Sequence, residues 1–328
     1  MTRRKGNECD GRGKEREVGQ VSEDRHPKPR CDEPAIAEHL HRSRAHHIIR
    51  YEHGVRRLVG HIREETCVVE SATIGYPLLL LHQIDPQDRY LEAAELQVGA
   101  VDRAPRTTDG GVTQLLEHTE LWIDYSYLLC PFMVKYGVMT GRQEATDEGF
   151  FQLEVHLKHL WDSGNSLARH AWCEVPDHFP QSTFWSRGNG WLAAGLVDMI
   201  SDAPEHPSVP NAKAVLVALL ARLKNLQDRS GYWRNVLDDP RDSLETSGTL
   251  MFAYAMGRAH ELGLVDESYG DAAVRAFSVV AGGVKADGAV GGVAVPPGGP
   301  MVPLGVTPIG QGWLLLVLQV LRRQGLIR

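Results

Sequence analysis

The chain has 328 residues, 42% of them hydrophobic and 23% charged, with a formal net charge of -7. That composition excludes a wholly disordered chain, and the length is enough to bury a sizeable core. The acidic balance speaks against nucleic acid as a partner. The longest apolar run, residues 313–321, falls well short of the about 18 to 20 residues needed to span a bilayer, so no membrane partner is expected.

Residues 1–34 are dense in Arg, Lys, Glu, Asp and Gly and nearly devoid of apolar side chains. Such a segment cannot offset its ordering entropy by burial, and it is expected to be a disordered charged tail. No apolar stretch follows the charged start, so no secretory signal is expected. The remainder, 35–328, reads as one all-α domain. Apolar residues at three- and four-residue spacing predict helices over 37–52, 70–84, 88–103, 121–139, 144–161, 189–202, 210–227, 246–262, 267–283 and 309–324. Polar loops rich in Gly, Pro and Asp separate them, and short connections between helices imply antiparallel pairs. Alternating β-branched stretches are scarce, which argues against a doubly wound sheet.

The five cysteines (Cys9, Cys31, Cys67, Cys130, Cys173) are odd in number and lack a Cys-x-x-Cys spacing. That argues against a disulfide framework or a zinc ribbon and fits reduced thiols in a cytoplasmic protein. His39, His41, His46 and His47 have no acidic or Cys partners at ligand spacing, so no metal is expected.

Two loops carry most of the chemistry-bearing side chains. They are 162–191, DSGNSLARHAWCEVPDHFPQSTFWSRGNGW, and 227–250, QDRSGYWRNVLDDPRDSLETSGTL. Together they hold Trp172, Trp185, Trp191 and Trp233, four of the seven tryptophans. Aromatic rings interleaved with Asp, His, Arg and Asn suit a sugar site, where flat rings stack on pyranose faces and planar polar groups pair with hydroxyls and carboxylates. For any single tryptophan a place in the core is an equal alternative.

FWSRGNGWLAAGL (184–196) resembles the Arg-Gly-Asn-Gly-Trp signature of the unsaturated glucuronyl and rhamnogalacturonyl hydrolases, glycoside hydrolase families 88 and 105. LWIDYSYLLCPFMVKYGVMTG (121–141), HLWDSGNSLARHAW (159–172), GYWRNVLDDPRDSLETSGTLMFAYAM (231–256) and KADGAVGGV (285–293) are similar to further family segments and keep their order. The resemblance implies an (α/α)6 barrel, here complete or incomplete at its N-terminal end. It also implies a substrate carrying a uronate with a C4–C5 double bond. Such a ring is a vinyl ether, and its cleavage needs a proton at C4 and water at C5 rather than the usual carboxylate pair; neither metal nor cofactor is called for.

The resemblance assigns the acid/base role to Asp124, whose competing reading is a helix cap. It places His170, Trp172, Trp185, Arg187 and Trp191 against substrate. Arg187 would pair with the uronate carboxylate, and its alternative is a structural ion pair. Thr246, Ser247 and Thr249 read better as caps of the following helix than as sugar contacts. The family's second acidic residue falls at Glu70 or at Thr73; with Thr73 it would be lost. The family's usual His after the Gly-Gly turn falls near Thr113 and Gln114, and Cys173 stands where an Asp is usual and reads as a packing residue. The expected activity is hydration of an unsaturated uronic acid at the non-reducing end of a short pectin-derived oligosaccharide. Alternatives are an unsaturated glucuronyl hydrolase acting on glycosaminoglycan-type disaccharides, a catalytically degenerate sugar binder, another enzyme on the same barrel such as an epimerase or lyase, and, last, a helical scaffold.

Overall fold

The computed structural model describes residues 74–115, 118–296 and 298–328. The expected tail, the helix over 37–52, the His39–His47 group, Glu70 and Thr73 all lie outside them. In chain order the described elements are α1 (Gly75–Ile84), α2 (Asp88–Asp102), β1 (Glu120–Trp122), α3 (Tyr125–Leu128), α4 (Cys130–Thr140), α5 (Gln143–Leu160), β2 (Trp161–Asp162), β3 (Leu167–Ala168), β4 (Ala171–Cys173) and β5 (His178–Gln181). There follow α6 (Ser186–Asp202), α7 (Val209–Leu226), β6 (Trp233–Arg234), β7 (Leu244–Glu245), α8 (Thr246–Glu261), α9 (Glu267–Gly282), β8 (Val293–Ala294), β9 (Leu304–Gly305) and α10 (Pro308–Arg323).

The helices form two layers because their sequences bury different fractions of their surface. In α6, SRGNGWLAAGLVDMISD, and α8, TSGTLMFAYAMGRAHE, nearly every position is buried. These two pack on each other, with α4 beside α6 and α10 beside α8. The amphipathic α5, α7 and α9 each bury one face and lie outside as the antiparallel partners of α4, α6 and α8. This is α/α-barrel architecture. Leu192, Leu196, Leu250 and Phe252 are fully buried at the inner contacts, each contributing about 1.5–3 kcal/mol of transfer free energy.

The strands are short antiparallel pairs within the loops. β1, β4 and β5 form a three-stranded sheet with Leu121 opposite Trp172 and Ala171 opposite Gln181. β2 pairs with β3, β6 with β7 and β8 with β9. Strands β1, β5, β7 and β9 lead into α3, α6, α8 and α10. The loop layer therefore sits on the N-terminal ends of the inner helices.

The single helix expected over 121–139 does not form. Residues 120–122 are strand β1, and the helix that follows breaks at Leu129, where φ is -119°. Pro131 explains the break, since it has no N–H to continue the ladder and its ring favours the first turn of a new helix. A continuous apolar run does not by itself distinguish strand from helix, and the edge of β4 captures 120–122.

Where α6 crosses the start of α3, Gly195 meets the Ser126 carbonyl so closely that a Cβ would stand 1.9 Å from its oxygen. Gly195→Ala is expected to cost about 3 kcal/mol by overpacking. Urea unfolding should show a lower midpoint at unchanged slope, and an unaltered midpoint would mean that this crossing can relax.

Candidate active site

Asp124 is the residue before α3, yet its side chain makes no capping bond to that helix. The cap reading fails on this point. The carboxylate turns instead toward β4, and its Oδ2 lies 3.2 Å from Nε2 of His170. The Asp124 side chain is 15% exposed and that of His170 only 3%. The other ring nitrogen of His170, Nδ1, contacts Oε1 of Gln181 on β5. The backbone supports the pair as well, because the Ile123 N–H donates to the His170 carbonyl at 3.0 Å. Acceptors on both sides of the ring favour the imidazolium. Burial alone would lower the His170 pKa, but the contact and charge of Asp124, with Gln181, outweigh it and hold the pKa above its ordinary 6.5.

Two tryptophans flank the imidazole. Trp122 meets it edge-on at 5.1 Å, and Trp185 lies tilted at 4.7 Å. Trp185 is itself fixed by its Nε1–H, which donates to Asn235 Oδ1 at 3.0 Å. The Arg187 guanidinium lies over the Trp185 ring, 4.5 Å from its centroid. Asp124, His170, Trp185 and Arg187, expected together, are thus one contiguous group.

Arg187 is 2% exposed, and it forms no ion pair with a carboxylate among the described residues. Its Nη1 donates to the Ala294 carbonyl at 2.6 Å and to Ser247 Oγ at 3.3 Å. Gly298, at φ +90°, lies so close that a Cβ there would be 2.3 Å from Nη2 and 2.2 Å from the Trp185 ring. The open fork expected for a uronate carboxylate is therefore covered in this arrangement. Burial lowers the Arg187 pKa, while Glu245 and Asp124 partly offset the effect by their charge. The guanidinium charge is felt by His170 and by Asp124.

The other expected residues lie elsewhere. Trp172 stacks on His159 at 3.8 Å, and its Nε1–H donates to Asp177 at 2.7 Å, so it braces β4 against α5. Trp191 stacks on Tyr127 and meets Trp313 edge-on, one helical turn into the inner layer from Arg187. Asn189 of the signature bonds both backbone groups of Ala168, tying α6 to β3. The cap of α8 is Glu245 and not Thr246, Ser247 or Thr249, because the helix starts at Thr246 and the longer side chain reaches the Ser247 and Gly248 N–H groups. Cys173 is buried and its thiol donates to the Val175 carbonyl, as a packing residue would. A cavity of about 470 Å³ opens toward the far ends of α6 and α8, against Asp198, Asp202, Tyr254 and Arg258, and does not reach Asp124. Burial pushes the Asp198 pKa up to about 7 there, although its hydrogen bond from Tyr254 lowers it.

Gln181, Asn235 and Glu245 were not singled out by sequence, and Trp122 entered only as the Trp of the Trp-x-Asp segment that contains Asp124. For Glu245 the available signal was its place directly before a helix start, three residues ahead of Gly248.

The fold is that of an α/α barrel with the Asp124–His170 group in its loop layer. The chain belongs to glycosyl hydrolase family 88, whose pattern matches residues 42–323. It is similar to an unsaturated rhamnogalacturonyl hydrolase of Bacillus subtilis, 31% identical over 200 residues that cover 57% of this chain and 57% of the relative. It is also similar to an unsaturated 3S-rhamnoglycuronyl hydrolase of Formosa agariphila, 27% identical over 52% of this chain and 49% of the relative. The chain thus spans about half the length of these curated relatives. Among solved structures, a possible member of the GH105 family from Klebsiella pneumoniae superposes with a TM-score of 0.72 at 27% identity, over 76% of this chain and 69% of that one. The unsaturated glucuronyl hydrolase of Bacillus sp. GL1 shares the fold at a TM-score of 0.68 and 13% identity, over 89% and 82%. Among the described residues no helix is long and apolar enough to cross a membrane.

The electrostatics of the pair give a testable titration. With its pKa raised in the folded state, His170 adds stability below its ordinary value of 6.5, and that stability is lost as the pH rises through the raised value. In Asp124→Asn the largest opposing charge is gone, so the His170 midpoint followed by NMR should fall below that of the wild type. An unchanged midpoint would mean that Asp124 does not hold the imidazolium.

Proposed function

We propose that this chain is a glycoside hydrolase that hydrates the C4–C5 double bond of an unsaturated uronic acid at the non-reducing end of a short oligosaccharide. The observation that carries this reading is the Asp124–His170 contact, set between Trp122 and Trp185 in the loop layer of a family 88 barrel. Asp124 is the proton donor and acceptor. The proton that the Asp124–His170 pair holds passes through the Asp124 carboxyl to C4, leaving the imidazole neutral, and the positive charge that develops at C5 is shared with the ring oxygen. The resulting carboxylate takes a proton from water as the water oxygen bonds to C5. The hemiketal opens by breaking the bond from C5 to the ring oxygen. The freed C1 hemiacetal then releases the partner sugar. One water is consumed, and Asp124 ends in the state in which it began.

His170 is within contact of the carboxyl and orients it through Nε2, while Gln181 fixes the ring from the other side. Trp122, only partly buried, offers aromatic surface beside the reacting group, while the fully buried Trp185 backs the His170 ring. The Arg187 charge, with the N-terminal ends of α6 and α8, favours an anionic ring at this place. Glu245 does not serve as a second acid in this scheme, because both its oxygens accept several hydrogen bonds. The pectin-derived substrate is preferred to a glycosaminoglycan-type one on the 31% identity to the rhamnogalacturonyl relative, whereas the solved hydrolase that degrades glycosaminoglycan shares the fold at 13% identity.

The test follows the ultraviolet absorbance of the vinyl ether in an unsaturated rhamnogalacturonan disaccharide, with unsaturated glucuronyl disaccharides run in parallel. The wild type should bleach the absorbance. Asp124→Asn should be slower by about a hundred- to ten-thousandfold, the usual worth of a positioned proton donor. Bleaching of the glucuronyl disaccharides alone would move the substrate assignment. Binding without bleaching of any of them would replace the hydrolase by a degenerate sugar binder.

A further inference from the structure

Glu245 is a carboxylate with no exposed surface, and nothing in the proton chemistry uses it. Its Oε1 accepts from the Ser247 N–H at 2.9 Å, the Ser247 hydroxyl at 2.6 Å and the Ala294 N–H at 2.9 Å. Its Oε2 accepts from the Gly248 N–H at 2.7 Å and the Ser186 hydroxyl at 3.4 Å. These donors come from three separate places: the start of α8, the first residue of α6, and β8.

The same neighbours hold Arg187. The Ser247 hydroxyl that donates to Glu245 accepts from Arg187 Nη1, and the residue whose N–H is held by Glu245, Ala294, offers its carbonyl to that same Nη1. The buried cation and the buried anion therefore compensate each other across one hydroxyl and the backbone of one residue without touching. A direct ion pair would pull the guanidinium down onto Glu245. The relay instead leaves it over the Trp185 ring, where its charge reaches Asp124 and His170.

We infer that Glu245 is a positioning residue for Arg187, acting through Ser247 and Ala294 to fix where the guanidinium charge stands beneath the site. This rests on the proposed function only for its consequence on substrate. The positioning itself is a statement about the folded chain. The carboxylate also joins α6, α8 and β8, so Glu245→Gln would put an N–H group among donors and risk the fold. The hydroxyl link is the gentler place to cut.

The experiment compares Ser247→Ala with Ser247→Thr, which keeps the hydroxyl, and adds Glu245→Asp, which keeps the charge but shortens the reach. Crystal structures give the Arg187 position. Calorimetry gives the affinity for the unsaturated rhamnogalacturonan disaccharide in an Asp124→Asn background, where turnover does not interfere. In Ser247→Ala the guanidinium should leave the Ala294 carbonyl, and affinity should fall about tenfold or more, as expected for a lost charge-assisted hydrogen bond. Ser247→Thr should keep both, and Glu245→Asp should displace Arg187 even where Ser247→Ala does not fold. An Arg187 unmoved in both Ser247→Ala and Glu245→Asp, or in Glu245→Asp alone should Ser247→Ala not fold, overturns the inference. If the Asp124→Asn parent does not bind the disaccharide, the proposed function fails, and the Arg187 positions still decide the inference by themselves.

Discussion

Helices that converge with their N-terminal ends in a layer sheltered from water leave backbone N–H groups that must find acceptors. In this barrel a single carboxylate meets that demand where α6, α8 and β8 come together. Glu245 takes donors from all three, and a buried charge so supplied is tolerated because its hydrogen bonds are complete. The position of Arg187, the stacking of that cation on Trp185, and the packing of Trp185 against His170 are built outward from this point. Asp124 lies at the end of the series and is reached from the other side by β4.

The site combines two kinds of support. Asp124 and His170 are held by short-range sheet pairing, since β1 and β4 are hydrogen-bonded neighbours and Gln181 comes from the next strand. Arg187 and Trp185 are held by helix starts and by side chains from distant loops, including Asn235 and Gly298. The carboxyl proposed to give and take a proton is thus mounted on one framework and the positive charge of Arg187 on another. The two meet at the tryptophan between them.

Much of the helical layer was legible from spacing. The ends of α5, α7, α8, α9 and α10 fall within a residue of their expected places, because their apolar periodicity is long and flanked by Gly, Pro or polar punctuation. The segment 121–139 misled because its apolar run is continuous, and Pro131 in its middle carried the correction. Asp124, His170, Trp185 and Arg187 were found through a motif, which says that residues belong together without saying which way they face. Trp172 and Trp191 show the difference: one braces a strand against α5, the other plugs the inner layer. Glu245 and Gln181 looked like ordinary polar loop residues, since sequence does not show that Glu245 is fully buried or that Gln181 reaches a ring eleven residues away.

The Arg187–Ala294 hydrogen bond joins residues 107 positions apart, and the bond from Trp185 to Asn235 spans 50. The helical pairs, by contrast, are local hairpins of adjacent segments. Loop closure makes the long connections the costlier ones to form. Helix content is then a poor gauge of competence in this molecule. A chain whose local hairpins have formed can show far-ultraviolet circular dichroism before the ends of α6 and α8 have met and set the geometry around Asp124.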